Sequence, residues 1–331
     1  MQRFYSRGEY SLAKQFFQLV RNEIDSMEEL IHAQADGYNP DLRTAVELLL
    51  SAGGKRIRPV VTFLTGKMLG AKVEQLVILA ASVELLHTAT LVHDDLIDGS
   101  LLRRGSPTLN SQWSPGATVL TGDFIFSRAA KMAADTNSVE LMKVFAQTLT
   151  IIVNGEMTQM FDRHSQTGRD EYFQRIYAKT ASLFETSTRT AALISPVTDK
   201  TISQMSRYGY NIGMAFQIID DVLDFTGEQT TLGKPIGSDL RQGIITLPVI
   251  CFVELHPEDS ASQILLRNNL LAPDQVQQMI ESIQKSEAIQ LACHEAQGFI
   301  QKAVENLTGL PDCPERTALA ELAAYIVERN S

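Results

Sequence analysis

Two features of the 331-residue sequence predict an all-α fold. Apolar residues recur mainly at three- and four-residue steps, and strict alternation is scarce. Most prolines fall between or at the edges of the periodic stretches, where a helix tolerates them. The composition, 44% hydrophobic and 21% charged, is that of a chain that buries a real core. No Ser/Gly/Pro-rich linker or solenoid-length repeat divides it, so residues 1–331 are expected to form one domain, a bundle of about a dozen helices.

The helical stretches follow in order. The first is 11–35, and 41–51 comes next, preceded by Pro40. Pro59 sits in the first turn of 57–69. The stretch 74–98 contains no proline, and Pro107 and Pro115 precede or open 115–134. The stretches 138–162 and 170–195 follow, and Pro196 separates the latter from 199–225. Pro235 precedes 243–255, Pro257 precedes 261–270, Pro273 precedes 274–307 and Pro311 precedes 314–329. The stretches 74–98 and 199–225 are too apolar for surface helices and are expected at the centre.

Several function classes are excluded. The net charge is −10 and no basic stripe is present, so nucleic acid is not an expected partner. Cys251, Cys293 and Cys313 have no metal-binding spacing and cannot all pair, which points to a reduced, cytoplasmic setting. The segment MQRFYSRGEY lacks the apolar core of a signal peptide, and no membrane span is expected. Weak membrane association stays open. A P-loop, a dinucleotide fingerprint and a nucleophile elbow are all missing.

Both central stretches end in aspartates. The first carries Asp94, Asp95 and Asp98 in DDLID, and the second carries Asp220, Asp221 and Asp224 in DDVLD. In a helix, i and i+4 share a face one turn apart, so Asp94 points with Asp98 and Asp220 with Asp224. Acidic residues at a helix C-terminus meet the negative end of the macrodipole, a cost that a bound cation offsets. One such motif is equally well a solvated acidic helix end. Two copies, each closing an apolar helix, favour metal. The spacing is not that of an EF-hand, whereas Mg²⁺ takes a few carboxylates and completes its shell with water and substrate phosphate.

Carboxylate-held Mg²⁺ implies a phosphorylated substrate and cations to meet it. GGKRIRP supplies Lys55, Arg56 and Arg58, and LLRRGSPTLN supplies Arg103 and Arg104 behind the first aspartates. YAKTASLF supplies Lys179 and Thr180, and LGKPIGSD supplies Lys234. Arginine suits phosphate by its bidentate fork and lysine as a point charge. GGKRIRP alone is an exposed basic turn and RRG alone a local ion pair, but together they indicate a diphosphate site.

With these motifs in this order, residues 53–248 resemble the all-trans isoprenyl diphosphate synthases, or polyprenyl synthetases. TGDFIF, GEMTQ, FQIIDDVLDFTG and GKPIGSDLRQGIITLP add to the likeness. The resemblance implies helices around a deep central cavity, usually in a homodimer, with the two aspartate motifs facing each other across its mouth. It implies three Mg²⁺ per active site with substrate bound, held by Asp94, Asp95, Asp98, Asp220, Asp221 and Asp224. Arg103, Lys179, Thr180, Gln217 and Lys234 would meet the allylic diphosphate, and Lys55, Arg58, His87 and Arg104 the isopentenyl diphosphate. Asp94, Asp98, Lys179 and Asp220 would carry the catalysis. The reaction is ionisation of the allylic C–O bond, attack by the isopentenyl double bond and loss of a proton to pyrophosphate. Phe216 could stabilise the cation or belong to the core. Class I terpene cyclases share the first motif but usually carry a different second one and lack GGKRIRP. A non-catalytic subunit of a two-component synthase typically lacks one or both aspartate motifs.

Product length should depend on the residues behind the first cluster. Counting back from Asp94 gives Thr90, Ala89, Leu86 and Ser82, each turn rising ~5.4 Å, close to one isoprene unit. In the short-chain members an aromatic residue at Thr90 or Ala89 resembles a floor. The small residues here imply a product longer than C20, in the range C30 to C50. A shorter farnesyl or geranylgeranyl product follows if Phe124, Phe126, Ile151 or Ile152 provides the floor instead.

Overall fold

The computed structural model describes residues 14–51, 54–103, 105–161, 168–227, 235–267 and 269–328. Arg104 and Lys234 lie outside the described residues. In chain order the helices are α1 (Lys14–Gln18), α2 (Arg21–His32), α3 (Pro40–Ser51), α4 (Ile57–Met68), α5 (Val73–Ile97), α6 (Leu109–Gln112), α7 (Pro115–Asp135), α8 (Val139–Phe161) and α9 (Arg169–Ile176). They continue as α10 (Ser182–Leu193), α11 (Asp199–Thr226), α12 (Ser238–Arg241), α13 (Leu247–Leu255), α14 (Ser260–Leu266), α15 (Pro273–Lys285), α16 (Ala288–Asn306) and α17 (Pro314–Glu328). The only sheet among the described residues is a two-stranded antiparallel hairpin, β1 (Leu102–Arg103) with β2 (Ser106–Pro107). The fold is all-α, as the periodicity predicts.

The chain groups into two compact units. The first comprises the described residues up to Gln147, Thr186–Ser206 and Gly309–Leu322. The second comprises Thr148–Glu185, Arg207–Thr308 and the described residues from Ala323 onward.

In the first unit α5 is the core helix and packs against α7, α4 and α2. It is apolar on all sides and mostly buried, with Leu76, Leu79, Leu85 and Leu86 almost wholly inside. Each such leucine contributes roughly 1.5–3 kcal/mol by leaving water. By length and composition alone the helix could cross a membrane, but its apolar 18-residue window is 61% buried inside the fold. Small residues let α5 and α7 approach closely. Ser82 Oγ donates to the Ala129 carbonyl at 2.9 Å, and the His93 ring lies where a side chain on Gly122 would stand.

In the second unit α13 is buried along nearly its whole length and packs on α16. The buried residues of α16 are Ala288, Ala292, Ala296, Ile300 and Ala303, a narrow stripe of mostly small side chains. The buried positions of α15, Val276, Met279, Ile280 and Ile283, follow the three- and four-residue steps read from the sequence.

The expected stretches differ from the helices in three places. The stretch 11–35 breaks between α1 and α2, where Val20 leaves helical geometry. The stretch 274–307 breaks at Ser286, whose extended backbone stops α15 and whose hydroxyl accepts from the Ala288 amide to start α16. The stretch 170–195 is interrupted by a π-helical turn, Tyr177–Ala181, in which the Ser182 amide reaches back five residues to the Tyr177 carbonyl.

Candidate active site

The first cluster closes α5. Asp94 is half-buried, Asp95 is buried and Asp98 is exposed. The helix stops because Gly99 takes φ +63, while the Ser100 amide bonds back to the Asp95 carbonyl and the Gly99 amide to Leu96. This is a glycine C-cap of the Schellman type. The hairpin then folds Arg103 back onto the helix end. Its Nε lies 2.9 Å from both oxygens of Asp95, and an Nη lies 2.8 Å from one of them. The following segment is pinned by Thr108 Oγ1 and Asn110 Nδ2, which both donate to the Ser100 carbonyl.

The basic turn belongs to the same unit. Lys55 is exposed, and Arg58 and His87 are half-buried. Arg56 has φ +47 and points inward, bonded to Glu28 at 3.0 Å and to Glu84 at 2.7 Å. Further back on α5, Thr90 is half-buried and donates to the His87 carbonyl, whereas Ala89, Leu86 and Ser82 are buried. Of the alternative floor residues, the Phe124 ring meets Tyr38 edge-on and the Phe126 ring stacks on Phe145.

The second cluster ends α11. Asp220 is exposed and Asp221 is buried. Tyr172 Oη donates to Asp221 Oδ2 at 2.7 Å, and Gln217 Nε2 donates to Asp221 Oδ1 at 2.8 Å. Gln217 is itself fixed, because Thr180 Oγ1 donates to its Oε1 at 2.5 Å. Burial pushes the Asp221 carboxyl up to about 7, with Asp239 adding to the rise and the two hydrogen bonds opposing it. Burial, and then Asp221, raise the Tyr172 phenol well above its ordinary value. The Arg175 guanidinium lies 5.5 Å from the Tyr172 ring centroid. Asp224 is half-buried. Its two oxygens accept the amides of Ser238 and Asp239, both at 3.1 Å, at the start of α12.

Lys179 and Thr180 lie on the π turn, a feature frequent at functional sites. Two glycines grip it. A side chain on Gly155 would stand 2.5 Å from Ala178 Cβ, and one on Gly213 would stand 2.6 Å from Ala181 Cα. Lys179 Nζ lies 3.3 Å from Glu156 Oε1 in the GEMTQ motif. The Phe216 ring packs at a tilt against Phe184, with centroids 5.2 Å apart.

Within each unit some of the predicted residues meet. Arg103 meets the first cluster, and Thr180 and Gln217 meet the second. Tyr172, Glu84 and Glu156 were missed. Glu156 lay within a quoted motif, but nothing about a tyrosine on α9 or a glutamate inside an apolar helix marks it as part of a site. Among the described residues no three His, Cys, Asp or Glu side chains converge to hold a metal on protein ligands alone. Paired carboxylates at helix ends instead suit a hard cation that completes its shell with water and phosphate.

The fold and these clusters define a class, that of all-α proteins with paired aspartates closing two helices. A sequence model of polyprenyl synthetases matches residues 39–284, and the chain belongs to that family. It is a prenyltransferase of polyprenyl diphosphate synthesis, a family whose substrates are isopentenyl and allylic diphosphates. It is 35% identical over 318 residues to heptaprenyl diphosphate synthase component 2 of Bacillus subtilis, covering 96% of this chain and 91% of that one. It is also similar to the crystal structure of heptaprenyl diphosphate synthase from Staphylococcus aureus, with TM-score 0.88 and 33% identity over 94% of this chain and 99% of that one. A polyprenyl synthase from Caulobacter crescentus, complexed with calcium and isoprenyl diphosphate, gives TM-score 0.88 and 32% identity over 98% and 100% of the two chains.

Proposed function

We propose that this enzyme adds isopentenyl diphosphate to an allylic diphosphate by Mg²⁺-dependent 1′-4 condensation and makes an all-trans product longer than C20. The observation that carries the site assignment is that each aspartate cluster closes its helix with carboxylates fixed by neighbours of its own unit. Asp95 is held by Arg103, Asp221 by Tyr172 and Gln217, and Asp224 by two backbone amides. We assign Asp94, Asp95, Asp98, Asp220, Asp221 and Asp224 to the metal site.

When bound, Mg²⁺ neutralises charge developing on the leaving diphosphate. Lys179 and Thr180 meet the allylic diphosphate from the π turn, with Gln217 beside them and Arg103 at the first cluster. Lys55, Arg58 and His87 hold the isopentenyl diphosphate. By sequence motif Arg104 joins the isopentenyl diphosphate group and Lys234 the allylic diphosphate group. The allylic C–O bond breaks with its electron pair leaving on pyrophosphate. The isopentenyl double bond attacks the cation, and the proton released passes to that pyrophosphate.

Product length rests on Ala89 and Thr90, which place no aromatic ring one turn behind Asp94, and on the heptaprenyl names of the relatives. Incubation of the purified chain with labelled isopentenyl diphosphate, farnesyl diphosphate and Mg²⁺ tests the proposal. An extractable polyprenyl product is expected, and its absence contradicts the reading.

We also infer a homodimer. The second-unit part of α8 exposes Val153, Met157, Met160 and Phe161, an apolar face that a second copy would cover. Light scattering on the purified protein should give twice the mass of the chain. A second reading, one component of a two-component synthase, is favoured by the name of the B. subtilis relative. Turnover by the purified chain alone decides between the two. A cytoplasmic location is supported by three cysteines, none of them in a disulfide. Weak membrane association through the apolar product is part of the same reading.

A further inference from the structure

GGKRIRP offers three cations in four residues, but the fold treats them differently. Lys55 is exposed, while the Arg56 side chain is only 11% exposed. Arg56 adopts the left-handed backbone conformation, φ +47 and ψ 29, that non-glycine residues avoid. Its carbonyl accepts the Val60 amide at 3.0 Å, the first hydrogen bond of α4. Its guanidinium spans two helices, with Nε to Glu28 of α2 at 3.0 Å and Nη1 to Glu84 of α5 at 2.7 Å. The Glu84 side chain is 7% exposed, so this pair is nearly buried. Glu84 stands three residues before His87, one turn away on the same helix face.

We propose that Arg56 is the positioning residue of the isopentenyl diphosphate subsite. Through Glu84 it clamps the turn that carries Lys55 and Arg58 to the helix that carries His87. This rests on the assignment of those three residues to isopentenyl diphosphate. The left-handed kink turns the Arg56 side chain inward and starts α4, which carries Arg58. The ion pair fixes the distance between that turn and α5. A shift of about 1 Å in such a clamp is enough to lower the efficiency of a site by orders of magnitude.

The experiment is steady-state kinetics with isopentenyl diphosphate varied and the allylic diphosphate saturating, and then the reverse. Arg56→Met should raise KM for isopentenyl diphosphate roughly tenfold, with kcat and the allylic KM within about twofold. Because Arg56→Met strands a buried Glu84 charge and can destabilise the fold, the double variant Arg56→Met/Glu84→Leu is measured beside it. The double variant should regain melting temperature yet keep the raised KM. An isopentenyl KM that returns to the wild-type value with the melting temperature overturns the proposal, because the pair then only stabilises. An unchanged KM in Arg56→Met, or an equal loss in both substrate constants and kcat, also overturns it. Lys55→Ala is the control on the underlying assignment. If it leaves the isopentenyl KM unchanged, the subsite itself is wrong and both fall. If it raises that KM while Arg56→Met does not, only the role of Arg56 is lost.

Discussion

The hydroxyl of Tyr172 lies 2.7 Å from Oδ2 of Asp221, two nearly solvent-free side chains on different helices of one unit. This bond and that from Gln217 occupy both oxygens of a carboxylate that sits next to Asp220. Tyr172→Phe leaves the shape intact and removes one donor. The expected loss is about 1–3 kcal/mol of stability at pH 8, read by thermal or urea unfolding, since a buried acceptor loses its partner.

The same burial gives a pH signature in the metal-free protein. Asp221 is raised from 3.8 to about 7, so between those values the folded state holds a proton that the unfolded state has released. Its contribution to stability is fully present below the unfolded value and is lost as pH rises through about 7. The melting temperature should therefore fall from pH 5 to pH 8, and Asp221→Asn should flatten that slope. An unaltered slope in the variant would show that other groups set the profile.

The aspartates should separate by what they hold. Asp98→Ala is expected to abolish turnover while leaving the melting temperature unchanged or raised, because it removes one of several like charges at a helix C-terminus. Asp224→Ala should cost about 1 kcal/mol through loss of the amide contacts that open α12. A large stability loss in Asp98→Ala would make that residue structural.

Gly213→Ala sets two effects against each other. Alanine normally gains about 1 kcal/mol over glycine in a helix interior. Here its Cβ would stand 2.6 Å from the Ala181 backbone, and overpacking of that kind costs about 1–3 kcal/mol. The net result should be a lower melting temperature and a fall in kcat as Gln217 is pushed away from Thr180. Gly298→Ala is the control. It lies on α16 with nothing within 4 Å of the added atom, and it should be stabilising.

Ala89→Phe places a ring one turn behind Asp94 and should shorten the product. An unchanged chain-length profile would move the floor to another helix.

The aspartate motifs, the basic turns and the core helix α5 were legible because each depends on local spacing: an i+4 pair, a Gly-Gly before a helix, period 3.6. What the sequence could not assign was the partner of each charge. Arg56, Arg58 and Lys55 are alike as letters, and only the packing of α2 and α5 turns Arg56 inward onto Glu84. Asp221 and Asp224 share one motif, yet one bonds to a tyrosine forty-nine residues away and the other to backbone fourteen residues on. The π turn was hidden for a similar reason. YAKTA is compatible with an α-helix, and the close approach to Gly155 and Gly213 is a tertiary fact.

The central claim is that this site elongates an allylic chain beyond C20 with Mg²⁺. Its most direct test is chromatography of the dephosphorylated products formed by the purified chain from isopentenyl and farnesyl diphosphates, with and without Mg²⁺. The account predicts Mg²⁺-dependent polyprenols longer than C20. Products that stop at C15 or C20, or turnover that persists after the metal is chelated, would contradict it.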